Sequence, residues 1–206
     1  MPLGFRWGEK IFCRMIDPLF GFVFFGLFSP GPNVILLTAS GARFGFTATL
    51  PHLLGVVLGV GITAGLTGFG LGALLAAAPR LETVLRIAAA LWILFMAWTL
   101  WNAKPKDAET GQRPMTLVQA VLFQWVNPKV WAVALAAASA YPGGVSPWAE
   151  ALRLGATFSG INLFVCLFWT SAGALLAFLL KAPAAWRVFN RGMALALASY
   201  AMLLFL

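Results

Sequence analysis

Lys129 stands in "QWVNPKV", residues 124–130, directly after a proline and deep inside a run of apolar residues. An ammonium group in hydrocarbon is expensive and normally faces a cavity or a partner rather than lipid. There it could meet a substrate carboxylate, or bind and release a proton as the cavity wets and dries. The competing role is structural, a side chain that snorkels to the membrane surface. A position in mid-run, straight after a proline, favours function. Asn127 and Pro128 precede the lysine, and Gln124 lies one helical turn before them, on a shared face. A second interrupted stretch, "FSPGPNVILL" at residues 28–37, holds Ser29, Pro30, Gly31, Pro32 and Asn33. Neither proline can donate a backbone hydrogen bond, and each clashes with the preceding turn. Gly31 loosens the chain further. In hydrocarbon every freed carbonyl is costly unless something satisfies it. The carboxamides of Asn33 and Asn127 carry both donors and an acceptor. They can therefore mend broken backbone, cap a half-helix or hold a zwitterion. These nine residues (Ser29, Pro30, Gly31, Pro32, Asn33, Gln124, Asn127, Pro128 and Lys129) are the expected substrate contacts.

The rest of the chemical inventory is thin. It comprises His52, the carboxylates Glu9, Asp17, Glu82, Asp107, Glu109 and Glu150, and the cysteines Cys13 and Cys166. No carboxylate falls in the interior of an apolar run. The cysteines are far apart and form no CxxC, so neither a metal centre nor a redox pair is indicated. Cys166 reads as a small packing hydrophobe, and His52 falls near a membrane surface. A divalent-cation carrier would want oxygen or thiolate ligands along its path. A hydrolase would need an acid–base or metal constellation. The expectation is therefore a protein that is not an enzyme, with no cofactor and no metal. A net charge of +8 could suggest a nucleic-acid partner. The basic residues, however, lie between the apolar runs, as loop charges do at a membrane surface.

The elements that must position these groups are membrane helices. The chain is 61% hydrophobic and 10% charged, where soluble domains run at about 45–50% and about 25%. A span needs about 20 apolar residues, and six segments qualify: 18–40 (interrupted at 29–33), 50–77, 83–101, 117–141, 148–180 and 184–206. Trp98, Trp101, Trp148 and Trp186 fall near their ends, where amphipathic rings prefer to sit. The chain reads as one transmembrane domain over 1–206: a tail at 1–17, a three-helix repeat at 18–101, a polar connecting loop at 102–116 and a second three-helix repeat at 117–206. Arg6, Lys10 and Arg14 ahead of an apolar run resemble a signal sequence, but no small-residue cleavage motif follows. In "GVVLGVGITAGLTGFGLG", residues 55–72, the pairs Gly55/Gly59, Gly61/Gly65 and Gly68/Gly72 are spaced for close helix approach. No GK[ST] follows, so this is not a phosphate loop. Ser159, Asn162 and Thr170 are expected to hydrogen-bond between helices.

Three spans per half mean that the second half enters the bilayer from the opposite side, the plan of inverted-repeat transporters. Ser29 lies 11 residues past Pro18 and Asn127 lies 10 past Leu117. At about 1.5 Å per residue both breaks sit roughly 15 Å deep, near the middle of a core about 30 Å thick. Corresponding interruptions in two halves point to a midplane binding site. The expected fold is thus all-α, with two inverted three-helix repeats whose broken first and fourth spans meet at the midplane.

"SPGPN" in the first span, "NPK" in the fourth, "GLGALLAAAP" after the second, "RVFN" opening the sixth and the six-segment plan together resemble the LysE/RhtB family of amino-acid exporters. The likeness runs from about Asp17 to the C-terminus. "FQWVN" is similar to the branch exporting cysteine and O-acetylserine. Pro30, Gly31, Pro32, Asn33, Asn127, Pro128 and Lys129 map onto the family's motif positions. The resemblance implies export of small amino acids across a bacterial inner membrane, by alternating access and ion-coupled antiport. The expected partners are the amino-acid substrate and the lipid bilayer, with no nucleic acid, and a homo-oligomer is compatible with the same residues. Alternatives are a membrane scaffold or assembly factor, and a divalent-cation exporter. Counting Arg and Lys, the side holding both termini carries six and the other seven. If the native start is Met15 the balance becomes three against seven, which places both termini in the periplasm.

Overall fold

Helices account for the apolar stretches of the chain in the computed structural model, which describes residues 17–70, 79–102, 113–179, 182–203 and 205. In chain order they are α1 (Pro18–Phe28), α2 (Pro32–Phe44), α3 (Phe46–Gly68), α4 (Pro79–Trp101), α5 (Leu117–Val126), α6 (Pro128–Ala140), α7 (Pro147–Leu176) and α8 (Pro183–Leu203). Among the described residues there is no strand.

Local chemistry sets the starts. Pro18, Pro32, Pro128 and Pro147 each open a helix, where a missing N–H costs nothing and the ring pre-sets φ. The Asp17 carboxylate accepts from the Leu19 N–H at 3.0 Å. At α5 Thr116 and Gln119 form a reciprocal capping box: the Gln119 N–H donates to Thr116 Oγ1 at 3.2 Å, and the Thr116 N–H to Gln119 Oε1 at 2.9 Å. Thr116→Ala is expected to lower stability by about 1 kcal/mol, read as a lower unfolding midpoint in detergent. Thr116→Ser keeps the oxygen and should leave the midpoint in place. Gly45, at φ 82°, joins α2 to α3 as a single left-handed residue that a side chain would strain.

The expected interruptions are present. The α1–α2 pair bends by 59° and the α5–α6 pair by 65°. α3 and α7 are each long and apolar enough to cross a membrane, which makes two spans, or four if each bent pair counts as one. These two long helices lie against each other at the centre. α3 also packs on α5 and α6, and α7 on α1 and α2, so α3 supports the second bent pair and α7 the first; α4 packs on α8. One core of Val23, Leu27, Val56, Val60, Leu154 and Phe158 fills the space around α3 and α7. A second, including Ile35, Ile93, Phe123 and Leu197, joins α2, α4, α5 and α8.

The glycines of α3 serve two neighbours. A Cβ on Gly59 would lie 2.6 Å from Gln124 Cγ and 3.0 Å from the Val121 backbone on α5. On the other face, a Cβ on Gly65 would lie 3.2 Å from the Ala151 carbonyl oxygen of α7, and one on Gly155 3.2 Å from the Gly61 oxygen. The small-residue stripe thus acts as helix–helix spacing; Gly72 lies outside the described residues.

Several boundaries differ from those expected. α2 runs on to Phe44, α3 begins at Phe46 and α4 at Pro79, while α7 ends at Leu176. Hydropathy marks where the apolar stretch stops, but backbone hydrogen bonds carry α2, α3 and α4 past it into polar residues, whereas α7 closes in a turn at 177–179 before its apolar stretch ends. Trp98, Trp101 and Trp148 are exposed, whereas Trp186 is buried and packs inside the protein rather than at a lipid surface. The 1–16 portion of the tail with Met15 and Cys13, residues 71–77 of the second segment and most of the polar loop lie outside the described residues.

Candidate functional site

The first break begins where the Ser29 N–H donates to the Phe25 carbonyl at 3.1 Å, closing α1. Gly31 then starts α2 in extended backbone with no side-chain cap. The second break is a single residue, Asn127, at φ −88° and ψ 99°. Its N–H reaches the Gln124 carbonyl at 3.2 Å, and its side chain makes no capping bond at the start of α6. The amide at the second break is thereby left available for something other than mending its own helix.

Lys129, in the first turn of α6, crosses to the first break. Its Nζ donates to the Ser29 carbonyl, to Ser29 Oγ at 2.9 Å and to the Pro30 carbonyl at 3.4 Å. The cation thus sits on the carbonyl end of α1, the negative end of that half-helix. Gly31 permits the approach: a Cβ there would lie 2.7 Å from Lys129 Cδ. A second bridge is made of amides. Asn33 Nδ2 donates to Gln124 Oε1 at 2.8 Å, and Gln124 Nε2 returns a bond to Asn33 Oδ1 at 3.2 Å and another to the Ala120 carbonyl at 2.9 Å. Asn127 Nδ2 donates to the same Gln124 oxygen at 3.5 Å. Gln124, fully buried, therefore ties the two breaks together.

Between the breaks lies a cavity of about 20 Å³ lined by Gly31, Asn33, Asn127, Lys129, Asn162 and Trp169, among others. That is room for a single water. Asn127 Oδ1, Asn162 Nδ2 and Trp169 Nε1 are buried without a hydrogen-bond partner in the protein. Buried polar atoms are normally paired, so three such atoms around one small space single it out. Donors are supplied by the lysine ammonium, Asn162 and Trp169, and acceptors by Asn127 Oδ1 and the carbonyls at the end of α1. Among the described residues no carboxylate lines it. Asp17 and Glu150 gather instead around Arg153, whose guanidinium lies 2.6 Å from Glu150 Oε1 and 3.8 Å from Asp17 Oδ2 and also donates to the Tyr141 carbonyl. That cluster ties together the starts of α1 and α7 and the end of α6. No group of three or more His, Cys, Asp or Glu side chains that could hold a metal occurs among the described residues.

Of the expected contacts, Gly31, Asn33, Asn127 and Lys129 face the cavity. Gln124 stands behind them, Ser29 and Pro30 are exposed partners of the lysine, and Pro32 and Pro128 open the half-helices. Sequence reasoning missed Asn162 and Trp169 of α7. The interhelical role expected for three α7 residues holds for one: Ser159 Oγ donates to the Val57 carbonyl at 3.3 Å. Asn162 Nδ2 and Thr170 Oγ1 are buried and have no partner; Asn162 lines the cavity instead, and Thr170 lies where α7 meets the backbone of α2 at Gly41. The available signal was the spacing of Asn162, Cys166 and Trp169, four and three residues apart, which puts them on one helical face.

Residues 24–206 match the LysE type translocator family. The chain is similar to an uncharacterized membrane protein of Vibrio cholerae serotype O1, with 26% identity over 166 residues, covering 75% of this chain and 78% of that relative. It is also similar to the cysteine/O-acetylserine efflux protein of Escherichia coli K12, with 27% identity over 151 residues, covering 71% and 76%. No solved structure matches the chain.

Proposed function

Because the chain belongs to the LysE type translocator family, we propose that it is a secondary transporter exporting small amino acids or their derivatives across a bacterial inner membrane. The observation that carries this reading is the small cavity at which both helix breaks converge, with Lys129 and three unpartnered polar atoms around it. A zwitterion fits that set: its carboxylate to Lys129, Asn162 and Trp169, its ammonium to Asn127 Oδ1 and the α1 carbonyls. Space for one water cannot hold an amino acid, so this is a closed conformation and loading requires the halves to separate. Alternating access then moves one three-helix repeat against the other, in a six-span inverted arrangement with ion-coupled antiport. A substrate carboxylate that draws Lys129 off the α1 carbonyls would couple binding to release of that clamp. Cysteine and O-acetylserine are the leading substrates, through the similarity to the efflux protein. A scaffold would account for the lysine clamp but leaves Asn127, Asn162 and Trp169 unexplained.

The test is efflux from cells preloaded with labelled cysteine, O-acetylserine, threonine, homoserine, leucine or lysine. Faster efflux of one or two of these supports export, and no acceleration of any would sink it. Asn162→Leu is expected to lower the rate for the accepted substrate about tenfold or more at matched membrane abundance, the loss of one hydrogen bond to a charged group. A wild-type rate in that variant would remove Asn162 from the site.

A further inference from the structure

A second and larger cavity opens at the end of the helices opposite Asp17 and Ser146. Its volume is about 300 Å³, and its lining includes Ser40 and Arg43 near the end of α2, His52 in α3, Thr99 in α4 and Arg113 just before α5. That size is at the lower end of small-molecule pockets. Among the described residues two positive side chains line it and no carboxylate does. His52 is 2% exposed, and neither ring nitrogen has a hydrogen-bond partner. The hydroxyls nearby are differently placed: Ser40 Oγ and Thr49 Oγ1 lie 3.0 Å apart, and Thr49 donates to the Gly45 carbonyl at 2.8 Å. The imidazole is thus the buried polar group at this cavity left without a protein partner, on a wall it shares with two guanidinium-bearing residues.

The geometry points to a vestibular binding site for the carboxylate of a small organic solute, held by Arg43 and Arg113, with the buried His52 ring in the wall behind them. It is separate from the cavity at the helix breaks, since the two share no lining residue. A guanidinium matches a carboxylate through paired N–H donors, and the mostly apolar remainder of the lining, Leu36, Phe44, Met96 and Leu100 among it, suits the short carbon skeleton of a compact solute. Occupancy needs no transport, so this site stands or falls independently of efflux.

His52 is the only histidine of the chain, so its ring signals report on the vestibule without assignment. The experiment uses the full tag-free chain with ring-labelled histidine in phosphatidylcholine nanodiscs. It is titrated at constant pH and ionic strength with sodium acetate and with O-acetylserine. A saturable shift of the single imidazole signal is expected with both. Arg113→Gln and Arg43→Gln should each raise the half-saturating concentration at least tenfold, and Lys129→Ala should leave it unchanged. Absence of a saturable shift overturns the site, as does saturation indifferent to both arginine variants. The same shift on replacing phosphatidylcholine by phosphatidylglycerol, without soluble carboxylate, would assign the vestibule to a lipid phosphate and overturn the solute site. A saturable shift in a protein that shows no efflux would leave the vestibule standing and retire the exporter reading alone.

Discussion

Lys129→Ala is expected to reduce efflux at least about 30-fold at matched membrane abundance, the largest activity effect of any single substitution in the chain. Truncating one partner of a buried, hydrogen-bonded charge pair costs about 2–5 kcal/mol, and about 1.4 kcal/mol is tenfold. Among the described residues the lysine supplies the one cation on the cavity wall, so none of them beside it can take over a substrate carboxylate. Its removal also strips Ser29 and Pro30 of the donor that satisfies their carbonyls. Lys129→Arg is expected to fall well short of rescue. The lysine methylenes already press on Gly31, where even a Cβ would come within 2.7 Å of Cδ, and a planar guanidinium needs more width. Initial efflux rates from preloaded cells decide the matter. Unchanged rates in the alanine variant would keep the exporter and take Lys129 out of its mechanism.

Gly41→Val and Gly173→Val are each expected to cost more folded protein than substitutions at the glycines of α3 that face side chains. α2 and α7 cross with backbone against backbone. A Cβ on Gly41 would run into the Thr170 carbonyl oxygen and lie 3.2 Å from the Ala174 nitrogen. One on Gly173 would run into the Thr38 carbonyl and lie 3.0 Å from Thr38 Cα. A flexible side chain can swing aside, but a helix backbone can yield only by moving the whole helix. Overpacking typically costs about 1–3 kcal/mol and more where nothing can give, against a total stability of about 5–15 kcal/mol. Because α2 begins at the first break, the shift would also pull Asn33 from Gln124. The expected result is a small monodisperse fraction after detergent extraction and a lower unfolding midpoint. Gly160→Ala and Gly192→Ala, where an added Cβ meets nothing within 4 Å, should behave as wild type or gain about 0.5–1 kcal/mol. Wild-type yield for both valine variants would mean that α2 and α7 do not approach this closely in the membrane.

Membrane helices and the position of both breaks were legible in the residues because their causes are local. Apolar runs need lipid or core, and Pro30, Pro32 and Pro128 forbid hydrogen bonds wherever the chain goes. Asn127 beside Pro128 marked the second break for the same reason, as the glycine spacing from Gly55 to Gly68 marked a close-packing face. The Gln124–Asn33 bridge was not legible: it joins residues 91 apart in sequence, and no local rule selects one buried amide for another. Nor was the role of Asn162 and Trp169, since an asparagine on an apolar helix is equally suited to hydrogen-bonding a neighbour. Which of its faces meets the breaks depends on how α7 is rotated against α1 and α2. Lys129 shows the division most clearly. Its cost in hydrocarbon, visible from sequence, required that it face a partner. The bends of 59° and 65°, with the approach that Gly31 allows, decided that the partner is the carbonyl end of α1, because a side chain reaches only what helix crossing brings within its length.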